Sequence, residues 1–367
     1  MRSHHPLKQI LEQGRPHWDR NEVAPAVRRA FEMAVQCRTA ALGAEVYASE
    51  KQERIVYHTC KSRACASCGH RATIQWQREQ WIALPDVPYK GITFTMPKEF
   101  WGIFQQNRAL AGALPALAAG IMESWIRAKH GLRIGVIAIL HTFNGRLEFN
   151  SHVHTMVTAG GLQVSTGDWV KSVFWDKGQI TKLWKDAVVK LIHRAYRSGR
   201  LRTELGCEAL EAMLTHWSAR WWSVKIQSFK SREHFLRYAG RYVRRPPIAQ
   251  RRITRIGMRN VTFWTKDKKQ RRLVEVRYSI EEFIDSWIQH IPERYQHSMR
   301  YFGLFAPRAV SQTMAAIFAA IGQVRRPRPK RRPWAASIKK DFGWDPLLDR
   351  HGQRMRWVRR LEPMTSS

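Results

Sequence analysis

Four of the five cysteines in this 367-residue chain fall within 32 residues, and that clustering limits the fold more than any other feature. Cys60, Cys65 and Cys68 stand in the run HTCKSRACASCGHR, with Cys37 upstream. A CxxC turn presents two thiolates to one cation, and zinc takes four ligands in a tetrahedron. Cys60 supplies a third ligand. Cys37 is the best fourth, with His58 and His70 as competitors. Gly69 allows the tight turn that such a knuckle needs. The alternative is a group of buried, unligated thiols. Five cysteines are too few for a disulfide scaffold. Cys207 stands alone and reads as an ordinary small apolar residue. A closed, structural Zn2+ site in a small N-terminal module is therefore expected.

Charge narrows the partner. Lys and Arg number 63 against 29 Asp and Glu, a formal net charge of +34. Such an excess repels itself on a free globule and fits a polyanionic partner, bound by counterion release. Hydrophobic residues make up 44%, enough for real cores. No apolar run reaches the roughly 18 residues of a membrane span, and MRSHHPLKQI lacks the apolar core of a secretory signal. The expectation is a cytoplasmic, nucleoid-associated protein with no membrane partner. The chain has 16 Trp; about three quarters should pack in cores, leaving others to stack on bases.

The pattern along the chain predicts an α+β protein. Helices are expected over 23–35, 73–83, 100–129, 179–197, 208–217, 232–243 and 283–290. Strands are expected over 90–96, 133–141, 151–158 and 221–229, with a hairpin at 260–265 and 273–278. Ser279 and Glu282 form a capping box. The run RRPRPKRRP at 325–333 cannot bury a core and reads as an extended basic linker. Three regions follow: a helical and zinc-binding DNA-recognition region at 1–85, a catalytic region at 86–305, and a basic linker and tail at 306–367. A mostly helical protein with a small β insert is the competing fold. There is no internal repeat and no GxxxxGK[ST] loop, so an NTP-driven motor is not expected.

Two further groups can carry chemistry. His152 and His154 lie two apart on a predicted strand and so share a face, where both imidazoles can bind one cation. Tyr238 and Tyr242 lie four apart on a predicted helix and share a face there. Arg237, Arg241, Arg244 and Arg245 surround them and can grip a phosphate. Each pair alone reads more simply as packing. Together they describe a phosphotransfer site in which a cation polarises a scissile phosphate and a tyrosine attacks it.

These residues resemble the two-tyrosine HUH transposases of rolling-circle insertion sequences, of the insertion-sequence-ninety-one type. The likeness runs over most of the chain. CRTAALG and CKSRACASCGHRA resemble the family's zinc-binding region, and GITFTMP its first nuclease strand. LHTFNGRLEFNSHVHTMVTAGGL resembles the metal-site segment, YAGRYVRRPPIA the tyrosine helix, and EEFIDSWIQHIPERYQHSMRYFGLFAPR the C-terminal end. The resemblance implies an HUH-nuclease core with a central antiparallel sheet and packed helices. It implies that Tyr238 and Tyr242 are nucleophiles and that His152 and His154 bind Mg2+ or Mn2+. His141 is the candidate third ligand, with Glu148 and Gln227 weaker ones. An extra CxxC seen in many relatives is missing here, which leaves Cys37 as fourth zinc ligand. No cysteine pair follows Asp345-Pro346-Leu347, so no C-terminal zinc ribbon is expected.

The implied activity is nicking of single-stranded DNA at element ends through a 5′-phosphotyrosine, followed by transfer of the strand to a target. A host helicase is implied. The alternatives are an HUH replication initiator or relaxase, and a non-catalytic zinc DNA-binding protein. Arg325, Arg326, Arg328, Lys330, Arg331 and Arg332 would track the DNA backbone without reading sequence. Loss of zinc is expected to weaken end recognition more than chemistry.

Overall fold

The structure is a computed structural model that describes residues 5–20, 23–243, 246–267, 271–293, 296–308, 310–327 and 332–364. The chain opens with helices α1 (Pro6–Gln13), α2 (Arg15–Asp19) and α3 (Pro25–Gln36), followed by strands β1 (Ala44–Ala48) and β2 (Glu53–Tyr57). Prolines sit in the first turn of all three helices, where a missing N–H leaves no bond unmade. Helix α4 (Ala66–Ala83) begins at Cys65, earlier than the pattern of apolar residues alone predicts.

The region expected to be catalytic is built on one sheet. Strand β3 (Tyr89–Phe94) leads to helices α5 (Trp101–Gln106) and α6 (Arg108–His130). A single helix is expected here, but Asn107 breaks it. Its buried amide bonds to Ile103 O and Arg202 O, and its carbonyl accepts from Arg202 N. Strands β4 (Leu132–Arg133), β5 (Gly135–Phe143), β6 (Phe149–Thr158), β7 (Gly161–Gln163) and β8 (Trp169–Val170) follow, then α7 (Lys177–Arg197), α8 (Cys207–Ser218), β9 (Val224–Phe229) and α9 (Arg232–Ala239). Cys207 proves exposed, not an interior apolar residue.

The last third adds β10 (Ile253–Ile256), β11 (Asn260–Lys266), β12 (Leu273–Ser279), α10 (Ile280–Ile288), β13 (Met299–Gly303), α11 (Val310–Ala320), α12 (Trp334–Phe342) and β14 (Arg356–Leu361). The Ser279–Glu282 capping box is present.

The central sheet has the order β13-β5-β6-β3-β9, antiparallel throughout. Both faces are covered, which explains why β5 reads as a continuous apolar run. On one face α6 lays down Leu114, Ala118, Met122 and Ile126, spaced by four and wholly buried, against Val136, Ala138, Val153 and Val157. Burial of a large aliphatic side chain is worth about 1.5–3 kcal/mol. Helix α6 is long and apolar enough by composition to cross a bilayer, but that apolarity is spent on this core. The opposite face carries Ile137, Ile139 and Met156 against Phe235, Leu236 and Ala239 of α9 and Trp76 of α4. Alternation along β5 and β6 then places His141, His152 and His154 on this second face.

Two contacts cross the boundaries expected from the sequence. The N-terminal helices pack on the sheet β10-β11-β12 and on α10, with Trp18 stacked on Phe31 at 4.2 Å and Phe31 edge-on to Trp287. The tail also returns: β14 pairs with β1 in a sheet of order β14-β1-β2. Trp334 Nε1 donates to the Tyr47 hydroxyl, and Ser49 to Asp349. The tail therefore completes the N-terminal module. Strand β14, Arg-Trp-Val-Arg-Arg-Leu, does not alternate and is almost wholly exposed, so periodicity does not reveal its partner.

Candidate zinc and nuclease sites

The four thiols of Cys37, Cys60, Cys65 and Cys68 converge from the end of α3, the β2–α4 loop and the start of α4, and all are buried. Their sulfurs lie 3.7 Å (Cys37–Cys68), 3.6 Å (Cys60–Cys68) and 3.8 Å (Cys65–Cys37) apart. A tetrahedral zinc about 2.3 Å from each sulfur requires sulfur–sulfur distances of about 3.8 Å, so the donors fit the ion. Backbone N–H groups of Cys60 and Ser62 point at the Cys37 and Cys60 sulfurs, at 3.4 Å each. The Cys60 thiol, first among its neighbours, holds Cys37 down to about 7, whereas Cys60 itself is pushed up by Cys37. Packed thiols cannot all ionise without a cation to neutralise them. His58 is not a ligand. Its Nδ1 is engaged by Leu42 O and its Nε2 by Glu45. His70 is exposed.

The second cluster lies on neighbouring strands. His141 on β5 is directly opposite His152 on β6, and His154 follows on the same face. One ligand atom from each histidine lies within 4.8 Å of the others. Glu148 bonds to Asn144 in the β5–β6 turn, and Gln227 lies opposite Gly91 on β9, so the third histidine is what joins the pair. Backbone carbonyls orient two of the rings. His152 Nδ1 donates to Asn150 O at 2.8 Å, and His141 Nε2 donates to Tyr242 O at 2.7 Å. A carbonyl can only accept, so each ring's proton is fixed and its opposite nitrogen is the one a cation would take. His154 Nδ1 meets the Thr93 hydroxyl at 3.1 Å. Thr93 sits opposite His154 on β3.

The tyrosines close the site from above the sheet. Helix α9 ends at Ala239, shorter than the sequence predicts, and Arg241 to Val243 continue as a tight turn. Tyr242 thereby stacks on His154 at 3.7 Å and lies 5.6 Å from His141. Tyr238 lies 4.9 Å from Tyr242 and is buried. Its ring occupies the space over Gly91, where a Cβ would come within 2.9 Å. Burial pushes the Tyr238 phenol up, as do the Tyr242 charge and hydrogen bond, while hydrogen bonding from Thr93 opposes the shift. Thr93 was not singled out in the sequence, because only the β3–β6 register brings it to His154. Lys225 shares that face, opposite Thr93 on β9, and is exposed.

The arginines divide. Arg241 is exposed and its charge favours the Tyr238 phenolate. Arg237 is exposed and paired with Glu233 at 2.9 Å. Arg325 and Arg326 are exposed and Arg332 is partly so. Arg244, Arg245, Arg328, Lys330 and Arg331 lie outside the described residues.

The two sites are mechanically joined. Helix α4 starts at the zinc ligands and runs beside α9. Thr73 donates to Val243 O at 2.6 Å, and Gln77 donates to Leu236 O at 2.8 Å. The zinc knuckle thus fixes the start of the helix that props the tyrosine turn.

Comparison with known proteins matches two stretches of the chain. Residues 8–96 match a family described as "Transposase zinc-binding domain", and residues 135–313 match one described as "Putative transposase". The chain is 30% identical over 322 residues to the "Transposase for insertion sequence element IS801" of Pseudomonas savastanoi pv. phaseolicola, covering 83% of this chain and 76% of that protein. It is 28% identical over 309 residues to the "Putative transposase y4qJ" of Sinorhizobium fredii, covering 80% and 78%. No solved structure matches. The zinc-binding family and the buried thiol tetrahedron together support a structural zinc. On these matches the chain belongs to the transposases of the insertion-sequence-ninety-one type.

Proposed function

We propose that the protein nicks single-stranded DNA at element ends with its tyrosines and transfers the strand, in rolling-circle transposition, after a host helicase has exposed the substrate in the nucleoid. The observation that carries this reading is the stacking of Tyr242 on one of three histidines clustered on a single sheet face. His141, His152 and His154 would hold Mg2+ or Mn2+, and three imidazoles favour Mn2+ over the oxygen-seeking Mg2+. Such an ion supplies charge to the scissile phosphate and orients it.

The tyrosine oxygen attacks phosphorus, the bond from phosphorus to the 3′-oxygen breaks, and that oxygen leaves and takes up a proton. The product is a 5′-phosphotyrosine and a free 3′-OH. Attack by a 3′-OH of the target on the phosphotyrosine then releases the tyrosine and joins the strands. Lys225 and Arg241 are placed to hold the phosphate oxygens.

The different burial of the two phenols supports an order of use. Thr93 has one hydroxyl proton. If it donates to Tyr238, it must accept from His154 Nδ1–H, which turns His154 Nε2 toward the cation. Burial first, and then the charge and hydrogen bond of Tyr242, push the Tyr238 phenol up. Tyr238 is buried, whereas Tyr242 is half-exposed. Tyr242 is therefore the first nucleophile, and Tyr238 stays protonated for the second cleavage. The test is incubation with labelled single-stranded element-end DNA and Mn2+, followed by denaturing gels. Wild type should retain a covalent 5′-DNA adduct, and the Tyr238→Phe/Tyr242→Phe protein none. An undiminished adduct in the double variant would sink the proposal.

A further inference from the structure

No step of cleavage uses the sheet β10-β11-β12, yet its strands and their turn are strongly basic. Residues 251–277 hold ten Lys and Arg against two acids. The inward side chains Val261, Phe263 and Val276 pack against α1, α3 and α10. Strand alternation turns the others outward. Arg255, Thr262 and Arg277 line up across the three strands, and Trp264 is the next outward residue on the middle strand. Arg255, Trp264, Lys266 and Arg277 are exposed. Five of the 16 tryptophans are exposed; Trp264, at 40%, stands on this face with Glu275 opposite it and Arg277 two positions further along β12, whereas Trp357 on β14, also exposed, donates from Nε1 to Glu45.

The inward side of the sheet is clamped to the turn that joins the two histidine strands. Arg252 donates from Nε to Trp264 O at 2.8 Å and from its terminal nitrogen to Gly145 O. Tyr278 donates to Arg146 O at 2.7 Å. A Cβ at Gly145 would come within 2.3 Å of the Thr265 hydroxyl, so only glycine permits the approach. The sheet is thereby held at a fixed position relative to the histidine strands.

We propose that the outward face of β10-β11-β12 is a platform for single-stranded DNA, on which Trp264 stacks with an unpaired base while Arg255 and Arg277 hold the flanking phosphates. The clustered charge favours a polyanion over a protein partner. An exposed indole among guanidinium groups favours unpaired bases, because a duplex keeps its base faces covered. The inference rests on the single-strand nuclease reading above and adds a binding site remote from the reacting phosphate.

The test is fluorescence anisotropy of labelled (dT)20 and of a 20-base-pair duplex across a salt series. Trp264→Ala should weaken (dT)20 binding about tenfold, leave duplex binding within about twofold, and be rescued by Trp264→Phe. Arg255→Gln with Arg277→Gln should reduce the logarithmic salt slope on (dT)20 by about 1.4, at about 0.7 per lost phosphate contact. All these side chains are exposed, and unchanged thermal melting would exclude misfolding. Binding of (dT)20 within twofold of wild type in both variants would overturn the proposal, as would equal loss on single strand and duplex. The two readings fail separately. At saturating DNA the Trp264→Ala protein should still form the covalent adduct, whereas Tyr238→Phe/Tyr242→Phe should bind (dT)20 normally and form none. Absence of adduct in wild type, with Trp264-dependent binding intact, would remove the nuclease reading and keep the platform.

Discussion

The thiol cluster and the histidine cluster gather their ligands in opposite ways. Four cysteines come from a helix end, a loop and a helix start, and bury one another completely. Three histidines come from two paired strands, and a tyrosine ring occupies the side where a fourth cysteine would complete the other site. A closed four-ligand site holds structure, while an incomplete one leaves room for a substrate. The difference also shows in what orients each ligand. The sulfurs receive backbone N–H groups, which stabilise negative thiolates. The imidazoles donate to carbonyls or meet a hydroxyl, which fixes tautomers and would leave a bound ion exchangeable.

If that contrast holds, removing zinc is the most damaging change. Apparent zinc-binding energies in small modules run to about 10–16 kcal/mol. Chelation, or Cys65→Ser, should abolish cooperative melting of the N-terminal module. Thr73 and Gln77 tie α4 to the tyrosine turn, so adduct formation should fall at least tenfold as well. Such a fall in chemistry would come in addition to the expected loss of end recognition. A zinc-stripped protein, resupplied with Mn2+, that cleaves at the wild-type rate would show the two sites to be independent.

The histidines should behave the other way. His154→Ala should leave melting within about 2 °C of wild type and slow adduct formation about 100-fold or more, because it removes a ligand from an open site without removing a core. A large fall in melting temperature would make the cluster structural and erase the contrast. Within the open site, Tyr242→Phe should abolish the first nick. Tyr238→Phe should keep the first nick and lose strand transfer. The reverse pattern would invert the proposed order.

A smaller effect is expected at Thr93. Thr93→Val should weaken Mn2+ binding, read by electron paramagnetic resonance, and slow the first nick about tenfold. Thr93→Ser should restore both, since only the hydroxyl is needed. A valine variant with unchanged Mn2+ affinity would mean that His154 orients without Thr93.

Much of this contrast was legible in the sequence, and the reason lies in local spacing. Cys60, Cys65 and Cys68 lie close together on the chain, and His152 and His154 share a face by strand period alone. Register was not legible. Thr93 reaches His154 only through the pairing of β3 with β6, strands far apart in sequence, and His141 meets His152 through the register of the β5–β6 hairpin. The return of β14 to β1 was hidden for the same cause, because a strand buried on neither face leaves no hydrophobic signature. The tyrosine helix read four residues too long, since Gly240 and the following tight turn interrupt a pattern that continues as helix on paper.

The last prediction uses a histidine that belongs to neither cluster. His290 is buried next to the metal-site strand, yet Thr142 engages its Nδ1 and Leu147 O its Nε2. Burial lowers its pKa from 6.5 to about 4, with nearby Arg108 adding to the shift and the Leu147 carbonyl opposing it. Between those two values the unfolded chain binds a proton that the folded chain refuses. Stability is therefore intact above about pH 6.5 and is lost as pH falls toward 4, by up to about 3 kcal/mol. Thermal melting at pH 7 and pH 5 should fall by a few degrees in wild type. His290→Gln keeps a donor for Leu147 and an acceptor for Thr142 but cannot be protonated, so its decline should be shallower. Equal slopes would mean that the acid sensitivity belongs to the site histidines, and the open cluster would then carry more of the fold than its geometry implies.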